Sequence, residues 1–450
     1  MAREKFVIIG GVAAGMSAAS RARRRNPDLE IIVLEKGQHV SYGACGLPYY
    51  LSGEVADWNE LVVYTFDYFR EKRGIDVRLG HEAFEIEPGR RLVQALRPGS
   101  QPVAIPYDKL LIATGAAPAM DIPGANLPGV FTCSDLASAI RLREFLERKK
   151  PKSALVAGSG YIGLEVADAL AQRGIEVVVL GRAENVLEGF EPEIQAKVES
   201  AAGARGVRIK MNSQVTQITP SGEGVDAHTA GGSEHADVAI LATGLVPRTS
   251  LCEAAGITIG ATGAIAVDDR MQTNLNGIYA AGDCAQTQHL VSGKPVYFPL
   301  GTTANKMGRV AGENAAGGRA RFEGIVGTLA TKVFGLEVAR TGLSAGEARS
   351  AGFDPGFVTI HSVSHAKYLG GSALVATLLW DRPSGRFIGF QVAGEEGAAK
   401  RVDAAAVALH ARMRVADMLH LDLSYAPPFA GVWEALLIAA GVSVKESGRD

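Results

Sequence analysis

One cysteine in this chain stands out because of the residues around it. Cys45 lies in the stretch HVSYGACGLPYY, between small residues and a Gly-Leu-Pro-Tyr-Tyr run, and the next cysteine along the chain is Cys133. Together with Cys252 and Cys284 these cysteines form no Cys-x-x-Cys pair, so we predict neither a disulfide scaffold nor a metal site. A lone thiol is either a small buried apolar residue or a reactive nucleophile, and residues elsewhere must decide between the two.

A complete dinucleotide fingerprint lies in the middle of the chain. Gly158, Gly160 and Gly163 form a Gly-x-Gly-x-x-Gly turn between an apolar strand and an alanine-rich helix. Such glycines permit a tight turn and let the backbone approach a pyrophosphate, which the helix N-terminus attracts. The next strand ends at Gly181-Arg182, without the carboxylate that binds a free 2′-hydroxyl. Because an arginine can hold a 2′-phosphate, NADPH is at least as plausible here as NADH.

A second, incomplete fingerprint opens the chain. Gly10, Gly11 and Gly15 are present in GGVAAG, but Val12 stands where the middle glycine belongs. Glu35 ends the following strand, where a carboxylate can bind an adenosine ribose. The chain therefore has two candidate dinucleotide sites, which suggests electron transfer between two dinucleotides. In GIYAAGDCAQ, a further short strand ends near Asp283, whose carboxylate could bind a polyol hydroxyl.

Repeated segments would position these residues. KFVIIGGVAAGMSAASRARR with EIIVLE, and SALVAGSGYIGLEVADALAQRG with EVVVL, each predict a βαβ unit. YDKLLIATGAAP at 107–118 and ADVAILATGLVP at 236–247 are a second pair of repeats. After residue 322 the pattern changes: LVATLLWD and GRFIGFQVAG predict strands, and KRVDAAAVALHARM predicts an amphipathic helix. We predict an α/β chain with two Rossmann-like dinucleotide-binding domains and a C-terminal α+β domain.

The composition excludes several classes of partner. Of the 450 residues, 47% are hydrophobic and 21% are charged, and 46 basic residues face 48 acidic ones. This near-neutral balance gives no indication of nucleic acid or anionic membrane as a partner. No apolar run approaches the roughly 18 residues of a membrane span, and the N-terminus leads straight into a strand without a signal peptide. We therefore expect a cytoplasmic protein.

The order of these motifs resembles that of the FAD-dependent pyridine nucleotide-disulfide oxidoreductases. The matching features are GGVAAG with Glu35, both Ala-Thr-Gly segments, GSGYIGLE and AAGDCA, and they extend over essentially the whole chain. The resemblance implies a glutathione-reductase-like fold that binds FAD and either NADPH or NADH. It implies an FAD-binding domain at 1–117 and 246–322, an NAD(P)H-binding domain at 118–245, and a dimerisation domain at 323–450.

The resemblance also implies roles for single residues. Asp283 would bind the ribityl chain of FAD, Tyr161 would gate the nicotinamide pocket, and Glu165 would lie near the reacting nicotinamide. The remaining cofactor-binding residues implied in this way are Ala14, Thr114, Gly115, Gly244 and Gly282.

The surroundings of Cys45 resemble one branch of the family. Members similar to glutathione reductase carry two cysteines and a C-terminal histidine-glutamate pair, and this chain has neither. SYGACGLPYY and the C-terminal LDLSYAPPF instead resemble the single-cysteine branch, which includes coenzyme A-disulfide reductases, coenzyme A-linked persulfide reductases, and NADH oxidases and peroxidases. The Gly-Leu-Pro-Tyr-Tyr run is similar to that of the coenzyme A group. Cys45 would then be catalytic, and its partner sulfur must come from outside as a mixed disulfide, or be replaced by oxygen as a sulfenic acid.

Three functions remain open at this stage. The leading one is the reduction of coenzyme A disulfide, or of a coenzyme A persulfide or polysulfide. The alternative is an NAD(P)H oxidase or peroxidase in which Cys45 cycles through a sulfenic acid. A non-enzymatic flavoprotein that passes electrons to a protein partner is the third.

A cluster of basic residues on the first helix fits a coenzyme A nucleotide. In coenzyme A-disulfide reductases this helix and the cysteine loop contact the nucleotide, and guanidinium groups match phosphate geometry. The alternative is a solvated helix end, where cations favour the helix dipole. The resemblance implies substrate contacts at Ser17, Arg21, Arg24, Ser41, Arg73 and Asn305.

Two tyrosines complete the implied site. Tyr368, in HAKYLGG, matches a tyrosine of the family's His-Ala-Asn-Tyr-Tyr-Pro-Gly stretch, although Leu369 and Gly370 depart from that stretch. Tyr425, in SYAPPF, matches a tyrosine that reaches the active site of the partner subunit. A phenol can protonate a departing thiolate, and a homodimer with shared active sites would follow. The alternative for each tyrosine is an interface aromatic.

Overall fold

The computed structural model describes residues 3–447, so the outermost residues of the first and last predicted domains lie outside it. The first part of the chain forms β1 (Lys5–Ile9), α1 (Ala13–Arg25), β2 (Glu30–Glu35), α2 (Leu47–Ser52), β3 (Asp76–Leu79), β4 (Glu82–Glu87), β5 (Leu92–Leu96), β6 (Val103–Pro106), β7 (Lys109–Ile112) and β8 (Ala116–Pro118). The middle part forms β9 (Val130–Thr132), α3 (Leu136–Lys149), β10 (Ser153–Ala157), α4 (Tyr161–Gln172), β11 (Glu176–Leu180), α5 (Pro192–Ala204), β12 (Arg208–Lys210), β13 (Gln217–Ser221), β14 (Gly224–Thr229), β15 (Gly232–Ala236), β16 (Val238–Leu241) and β17 (Leu245–Pro247).

The remaining helices and strands belong to the last part of the chain. They are α6 (Ser250–Ala254), β18 (Ile278–Ala280), β19 (Thr287–Gln288), β20 (Pro295–Val296), α7 (Gly301–Ala315), β21 (Leu329–Val333), β22 (Leu336–Gly342), α8 (Ala345–Ala351), β23 (Pro355–Val363), β24 (Ala373–Asp381), β25 (Phe387–Gly394), α9 (Arg401–His410), α10 (Val415–Met418) and α11 (Ala435–Ser447). Short turns of 3-10 or π type cover Ala44–Gly46, Trp58–Leu61, Tyr68–Lys72 and Lys367–Leu369.

Two parallel sheets carry the two fingerprints, as the apolar strand runs predict. The first has the strand order β18-β7-β1-β2-β3, so the segment after residue 276 returns to the sheet that the N-terminus begins. The second has the order β12-β11-β10-β16-β9. Both are buried on their central strands, which explains why those strands are apolar without alternation.

The two Ala-Thr-Gly repeats meet where the two sheets are joined. The strands that follow them, β8 and β17, pair with each other in antiparallel register, Ala117 opposite Val246. The chain leaves the first sheet through β8 and comes back through β17. These strands therefore form a two-stranded link beside both dinucleotide turns.

Close packing of α1 on α7 fixes the position of the first helix. A Cβ atom on Gly308 would lie 2.2 Å from the carbonyl oxygen of Ala14, and one on Gly312 would lie 2.2 Å from that of Ala18. Only glycine permits this approach of the two backbones. The side chains at the rims of this contact, including Ser17 and Asn305, are therefore held close together.

The C-terminal part is an antiparallel sheet with helices packed against one face, as the sequence predicts. Its strand order is β21-β22-β25-β24-β23, and α9 and α11 cover a core that includes Trp380, Phe387 and Phe390. Several large apolar side chains of this part are at least half exposed, and we call them the C-terminal apolar surface: Tyr368, Leu369, Tyr425, Phe429, Val432 and Trp433. Across residues 3–447, no helix has the length and apolar character that crossing a membrane requires.

Candidate active site

Cys45 is presented at the start of a helix by a tightly anchored loop. It lies in the turn Ala44–Gly46, which leads directly into α2, and its side chain is exposed. The amide of Ser41 donates to the carbonyl of Gly11 at 3.0 Å, and the amide of Gly43 donates to that of Leu61 at 2.8 Å. These bonds hold the cysteine loop beside the first glycine turn.

Three further groups act on the Cys45 thiol or surround it. Tyr161 and Glu165 lie one turn apart on α4, and the hydroxyl of Thr331 donates to Glu165 Oε1 at 2.6 Å. Burial raises the pKa of Asp283 to about 6. Burial raises the pKa of Tyr161 to about 12, with smaller contributions from Asp283, Cys45 and Glu165. The fold thus brings Cys45, Tyr161, Glu165 and Asp283 into one site, although they come from distant parts of the chain.

The electrostatic surroundings of Cys45 favour the protonated thiol. Desolvation raises the pKa of Cys45, and the carboxylates of Glu165 and Asp283 raise it further. The cysteine turn leads into the N-terminus of α2, where a helix dipole favours an anion. The net effect of desolvation, the two carboxylates and a backbone hydrogen bond that lowers the pKa is nevertheless a raised pKa.

Removal of the charge of Glu165 should make Cys45 more acidic. Because the pKa of the thiol is raised, the pH range over which the thiolate fraction and the alkylation rate increase should lie higher than that of a free cysteine. Glu165→Gln removes one repulsive carboxylate, so the alkylation profile with iodoacetamide should shift to lower pH. It should stay above that of free cysteine, since desolvation is the larger cause.

Glu54→Gln is the matched control, because Glu54 is a nearby carboxylate that does not contribute to the pKa of Cys45. Its alkylation profile should coincide with that of the unmodified protein. A shift of equal size in both variants would contradict a specific effect of Glu165.

The first glycine turn fits a dinucleotide. Gly10 has φ +107°, and a Cβ atom on Gly15 would lie 1.9 Å from its carbonyl oxygen. The carboxylate of Glu35 is buried, and it accepts from the amides of Gly11 at 2.7 Å and Gly37 at 2.6 Å. These bonds fix its orientation at the end of β2, beside the turn. α1 starts with no side-chain cap in the described structure, so its first amides are free for a phosphate.

One buried polar group near Asp283 has no partner among the described residues. The hydroxyl of Tyr297 is buried and forms no hydrogen bond within residues 3–447, and the carboxylate of Asp283 lies in its electrostatic field. A buried polar group of this kind normally has a partner. The polyol of FAD would supply hydroxyl groups there, so the residues present fit this cofactor.

The second glycine turn fits a dinucleotide as well. Gly158 has φ +123°, and its Cβ would lie 2.1 Å from the carbonyl oxygen of Ala242. A Cβ on Gly163 would lie 2.1 Å from the carbonyl oxygen of Gly158, whereas Gly160 faces open space. That space, in front of the N-terminus of α4, is where a pyrophosphate would lie.

The end of β11 is occupied by two neighbouring side chains. A Cβ on Gly181 would lie 2.6 Å from the sulfur of Met211 and 2.7 Å from Ser159 Oγ, so a larger residue there would require both side chains to shift. The next residue, Arg182, is exposed, and no ion pair within the described residues engages it.

Most of the residues that the resemblance implies for coenzyme A lie along the helix α1 or close to it, whereas Ser41 lies in the cysteine loop. Ser17 donates to Asn305 Oδ1 at 2.5 Å across the α1–α7 contact. The pKa of Arg24 is lowered by desolvation and then by the guanidinium groups of Arg73, Arg21 and Arg309. Four arginines therefore repel one another on this face, and a bound polyanion would relieve that repulsion.

Local contacts modify this basic cluster. Arg21 Nε lies 2.7 Å from Glu313 Oε2, and Arg73 donates twice to the hydroxyl of Tyr68, at 2.9 and 3.1 Å. Arg23 instead donates to backbone carbonyls and is structural. Arg309 also belongs to this cluster and was not among the predicted residues. It lies four residues after Asn305, so both are on one face of α7.

Tyr368 and Tyr425 are not brought to Cys45 by a single chain. Both belong to the C-terminal apolar surface, and Tyr368 is 79% exposed. Within residues 3–447, no hydrogen bond or ring contact joins either tyrosine to Cys45. Their predicted role depends on a partner subunit and stays a prediction.

Two arginines hold the other end of the cysteine helix, and we call them the arginine clamp. Arg143 of α3 donates to the carbonyls of Tyr50 at 2.7 Å and Val55 at 3.0 Å, and its guanidinium lies 4.4 Å from the ring centre of Tyr50. Arg173, directly after α4, donates to the carbonyl of Leu51 at 3.1 Å. The clamp satisfies carbonyls that the end of α2 leaves free.

The chain matches the models of one family over most of its length. A model described as pyridine nucleotide-disulphide oxidoreductase matches residues 4–308, and one described as the dimerisation domain of that family matches residues 328–436. Within residues 3–447, no cluster of three or more histidine, cysteine or acidic side chains could hold a metal ion.

Characterised relatives are similar over nearly their whole length. The chain is 39% identical over 450 residues to an NAD(P)H sulfur oxidoreductase (CoA-dependent) of Pyrococcus furiosus, covering 98% of this chain and 99% of that protein. It is 28% identical to a coenzyme A disulfide reductase of Staphylococcus haemolyticus, with 95% and 96% covered. The solved structure of an NAD-dependent persulfide reductase from A. fulgidus has 39% identity and a TM-score of 0.95, covering 99% of this chain and 84% of that one.

Proposed function

Since this chain belongs to the pyridine nucleotide-disulphide oxidoreductase family, we propose that it is a flavoprotein that reduces coenzyme A disulfide, or a coenzyme A persulfide or polysulfide, with NAD(P)H. The observation that carries the proposal is the position of Cys45. It is the exposed cysteine among the four, and its loop is held beside the first dinucleotide turn, at the start of the helix α1 that also carries Arg21 and Arg24. The names of the relatives support a coenzyme A-linked sulfur substrate.

We assign the cofactors to the two units that carry the fingerprints. Residues 1–117 and 246–322 would bind FAD, and residues 118–245 would bind NAD(P)H. FAD would accept a hydride from NAD(P)H and deliver two electrons to a disulfide. The FAD contacts that we propose are Gly10, Gly11, Ala14, Gly15, Glu35, Thr114, Gly115, Gly244, Gly282 and Asp283; those for NAD(P)H are Gly158, Gly160, Tyr161, Gly163, Glu165 and Arg182.

Cys45 would carry the sulfur chemistry. In the resting enzyme it is bonded to coenzyme A as a mixed disulfide, with the nucleotide held by Ser17, Arg21, Arg24, Ser41, Arg73 and Asn305. Two electrons break this disulfide, coenzyme A leaves as a thiolate that takes up a proton, and the Cys45 thiolate attacks the next substrate sulfur. One NAD(P)H and one proton convert one coenzyme A disulfide into two coenzyme A thiols, or one coenzyme A persulfide into coenzyme A and hydrogen sulfide.

We propose a homodimer in which each subunit completes the site of the other. A dimerisation domain is present at residues 328–436, and it carries the C-terminal apolar surface. Exposed aromatic side chains of this number mark an interface rather than a solvated face. Tyr368 and Tyr425 would then reach the partner's Cys45 loop and protonate the departing thiolate. The free thiol of Cys45 suits a reducing, cytoplasmic setting.

The mass of the intact protein under non-reducing conditions tests this function. A Cys45–coenzyme A disulfide adds the mass of one coenzyme A less two hydrogens, and dithiothreitol should remove it. Labelling of Cys45 with iodoacetamide after reduction locates the modification. An unmodified or singly oxygenated Cys45 would contradict the proposal and support an oxidase or peroxidase.

Arg182 should select NADPH over NADH. Arg182→Glu replaces a phosphate ligand with a repelling carboxylate, so we expect the KM for NADPH to increase by roughly tenfold to a hundredfold, from the loss of a charge-assisted hydrogen bond. The KM for NADH should change little, because NADH has no 2′-phosphate. Steady-state kinetics with both nucleotides measures this, and an equal change in both values would show that Arg182 does not bind the phosphate.

A further inference from the structure

A cavity of about 300 Å³ lies between the cysteine helix and the helix that carries Tyr161. It is lined by residues of α2, by one face of α4, and by the turn between β21 and β22. Three polar residues of α4 line the cavity: Glu165, Asp168 and Gln172. They are three and four residues apart and therefore share one face of the helix. Glu165, at the inner end, is the same carboxylate that acts on Cys45.

Asp168 is a buried carboxylate with one oxygen unused. Its side chain is 7% exposed, and Oδ2 accepts from the amide of Phe334 at 2.9 Å. Oδ1 has no hydrogen-bond partner within the described residues. Because a buried carboxylate oxygen without a partner is costly, and because Asp168 lines the cavity, water in the cavity is the partner available to it.

Tyr49 connects this strip of carboxylates with Cys45. Burial raises the pKa of Tyr49, and the charges of Glu165, Glu54, Asp168 and Cys45 raise it further, in that order. The phenol therefore keeps its proton and lies within the electrostatic field of all four groups. Tyr49 lines the cavity and lies four residues after Cys45, so the cavity adjoins the helical segment that presents the cysteine.

The proposed reaction needs such a connection. Each turnover takes one proton from solvent besides the hydride of NAD(P)H, and that proton ends on a departing thiolate. In the proposed resting state, coenzyme A bonded to Cys45 would cover the exposed side of its sulfur atom. The cavity approaches from the side of α4 instead.

We propose that this cavity is a proton inlet, in which water and the carboxyl groups of Asp168 and Glu165 pass protons from solvent towards the sulfur atoms at Cys45. The inference rests on the proposed function, since it supplies the proton of that reaction. Asp168 receives the proton from water, and Glu165 relays it, with Tyr49 beside the path. The departing thiolate takes the proton, and the carboxyl groups are recharged from solvent, so none is consumed.

The charged groups around the path are compatible with this role. Four other titratable side chains line the cavity. Tyr49 belongs to α2 and Glu54 follows it, Lys332 belongs to β21, and Arg205 follows the end of α5. Burial raises the pKa of Glu165, while the hydrogen bond from Thr331 lowers it, so burial is the larger effect. A raised pKa makes the protonated form of this carboxylate less costly to reach, so Glu165 can take up a proton from the cavity and pass it on.

Asp168→Asn tests the inlet, because the amide keeps the shape and can still accept from Phe334. With FAD-loaded enzyme and coenzyme A disulfide, we expect kcat to fall by roughly tenfold or more, as when a proton-transferring group is lost. The KM for NADPH should stay the same. Acetate, which is small enough for the cavity, should restore kcat in the variant, more so at lower pH where acetic acid is present. It should have no effect on the unmodified enzyme.

Two controls separate a proton-transfer role from a structural one. Gln172→Ala changes the lining of the cavity without removing a titratable group and should leave kcat unchanged. Asp168→Glu keeps a carboxyl group and should retain more activity than Asp168→Asn. The near-UV circular dichroism of all variants should match that of the unmodified enzyme.

Each outcome has a distinct meaning. An unchanged kcat in Asp168→Asn, or a loss that acetate does not restore, would overturn the proton inlet while leaving the proposed function intact. If the unmodified enzyme reduced neither coenzyme A disulfide nor coenzyme A persulfide, the function itself would be wrong.

Discussion

Replacement of Cys45 by serine should abolish the reduction of coenzyme A disulfide and persulfide while leaving the flavin site intact. A serine hydroxyl cannot form the mixed disulfide, so we expect turnover to fall by roughly a thousandfold or more, as for other enzymes that lose their nucleophile. FAD should still bind, and NAD(P)H should still bleach its visible absorbance, because neither dinucleotide turn involves Cys45. Stopped-flow absorbance measures the reduction by NAD(P)H, and release of coenzyme A thiol measures turnover.

Cys133→Ala is the matched control for this substitution. Cys133 is buried in another part of the chain, and alanine replaces a buried thiol at small cost. Its turnover should remain close to that of the unmodified enzyme. Near-normal reduction of coenzyme A disulfide by Cys45→Ser would show that Cys45 is structural and that the proposed mechanism is wrong.

A charge in the C-terminal apolar surface should separate the subunits and stop turnover. Trp433 is 66% exposed. Buried tryptophans often contribute most of the binding energy of an interface, so in a dimer Trp433→Asp should weaken the free energy of association by about 2 kcal/mol or more. Light scattering should then give the monomer mass of 47.2 kDa. Activity should fall with the dimer, since Tyr368 and Tyr425 would no longer reach the partner's Cys45 loop.

Val246→Asp is the control for the introduced charge. Val246 is 51% exposed and lies on β17, outside the dimerisation domain, so this variant should remain dimeric and active. A fully active monomer of Trp433→Asp would contradict shared active sites. An intact dimer would place the interface elsewhere on the chain.

The sequence predicted the parts of the fold that depend on local patterns. Unbroken apolar runs ending in glycine identified β1 and β10, because a strand buried on both faces shows no alternation. The glycine spacings identified the two turns, and the structure shows why: a Cβ on Gly15 or Gly163 would collide with a backbone carbonyl. The strands β24 and β25 followed from two apolar runs, and the helix α9 followed from its amphipathic pattern.

The features that the sequence did not predict depend on contacts between distant residues. Nothing near Asp168 indicates that its carboxylate meets the amide of Phe334, and nothing near Glu165 points to Thr331. The raised pKa of Cys45 is of the same kind, because its causes are desolvation in the fold and then Glu165, which comes from a helix more than a hundred residues away. Tyr49 was visible in the Gly-Leu-Pro-Tyr-Tyr run, but only the fold places it beside three carboxylates.

The arginine clamp has a consequence for how this chain can be recombined. By sequence, α2 belongs to the first sheet unit, yet Arg143 and Arg173, which bind its last carbonyls, come from the second. In a chimera, residues 118–245 could be replaced by the equivalent segment of a relative. Such a chain would keep Cys45 but lose the hydrogen bonds from the arginine clamp to the end of α2, unless the donor segment carries both arginines. The cysteine helix and the segment that we propose to bind NAD(P)H therefore depend on each other, although they lie in separate stretches of the chain.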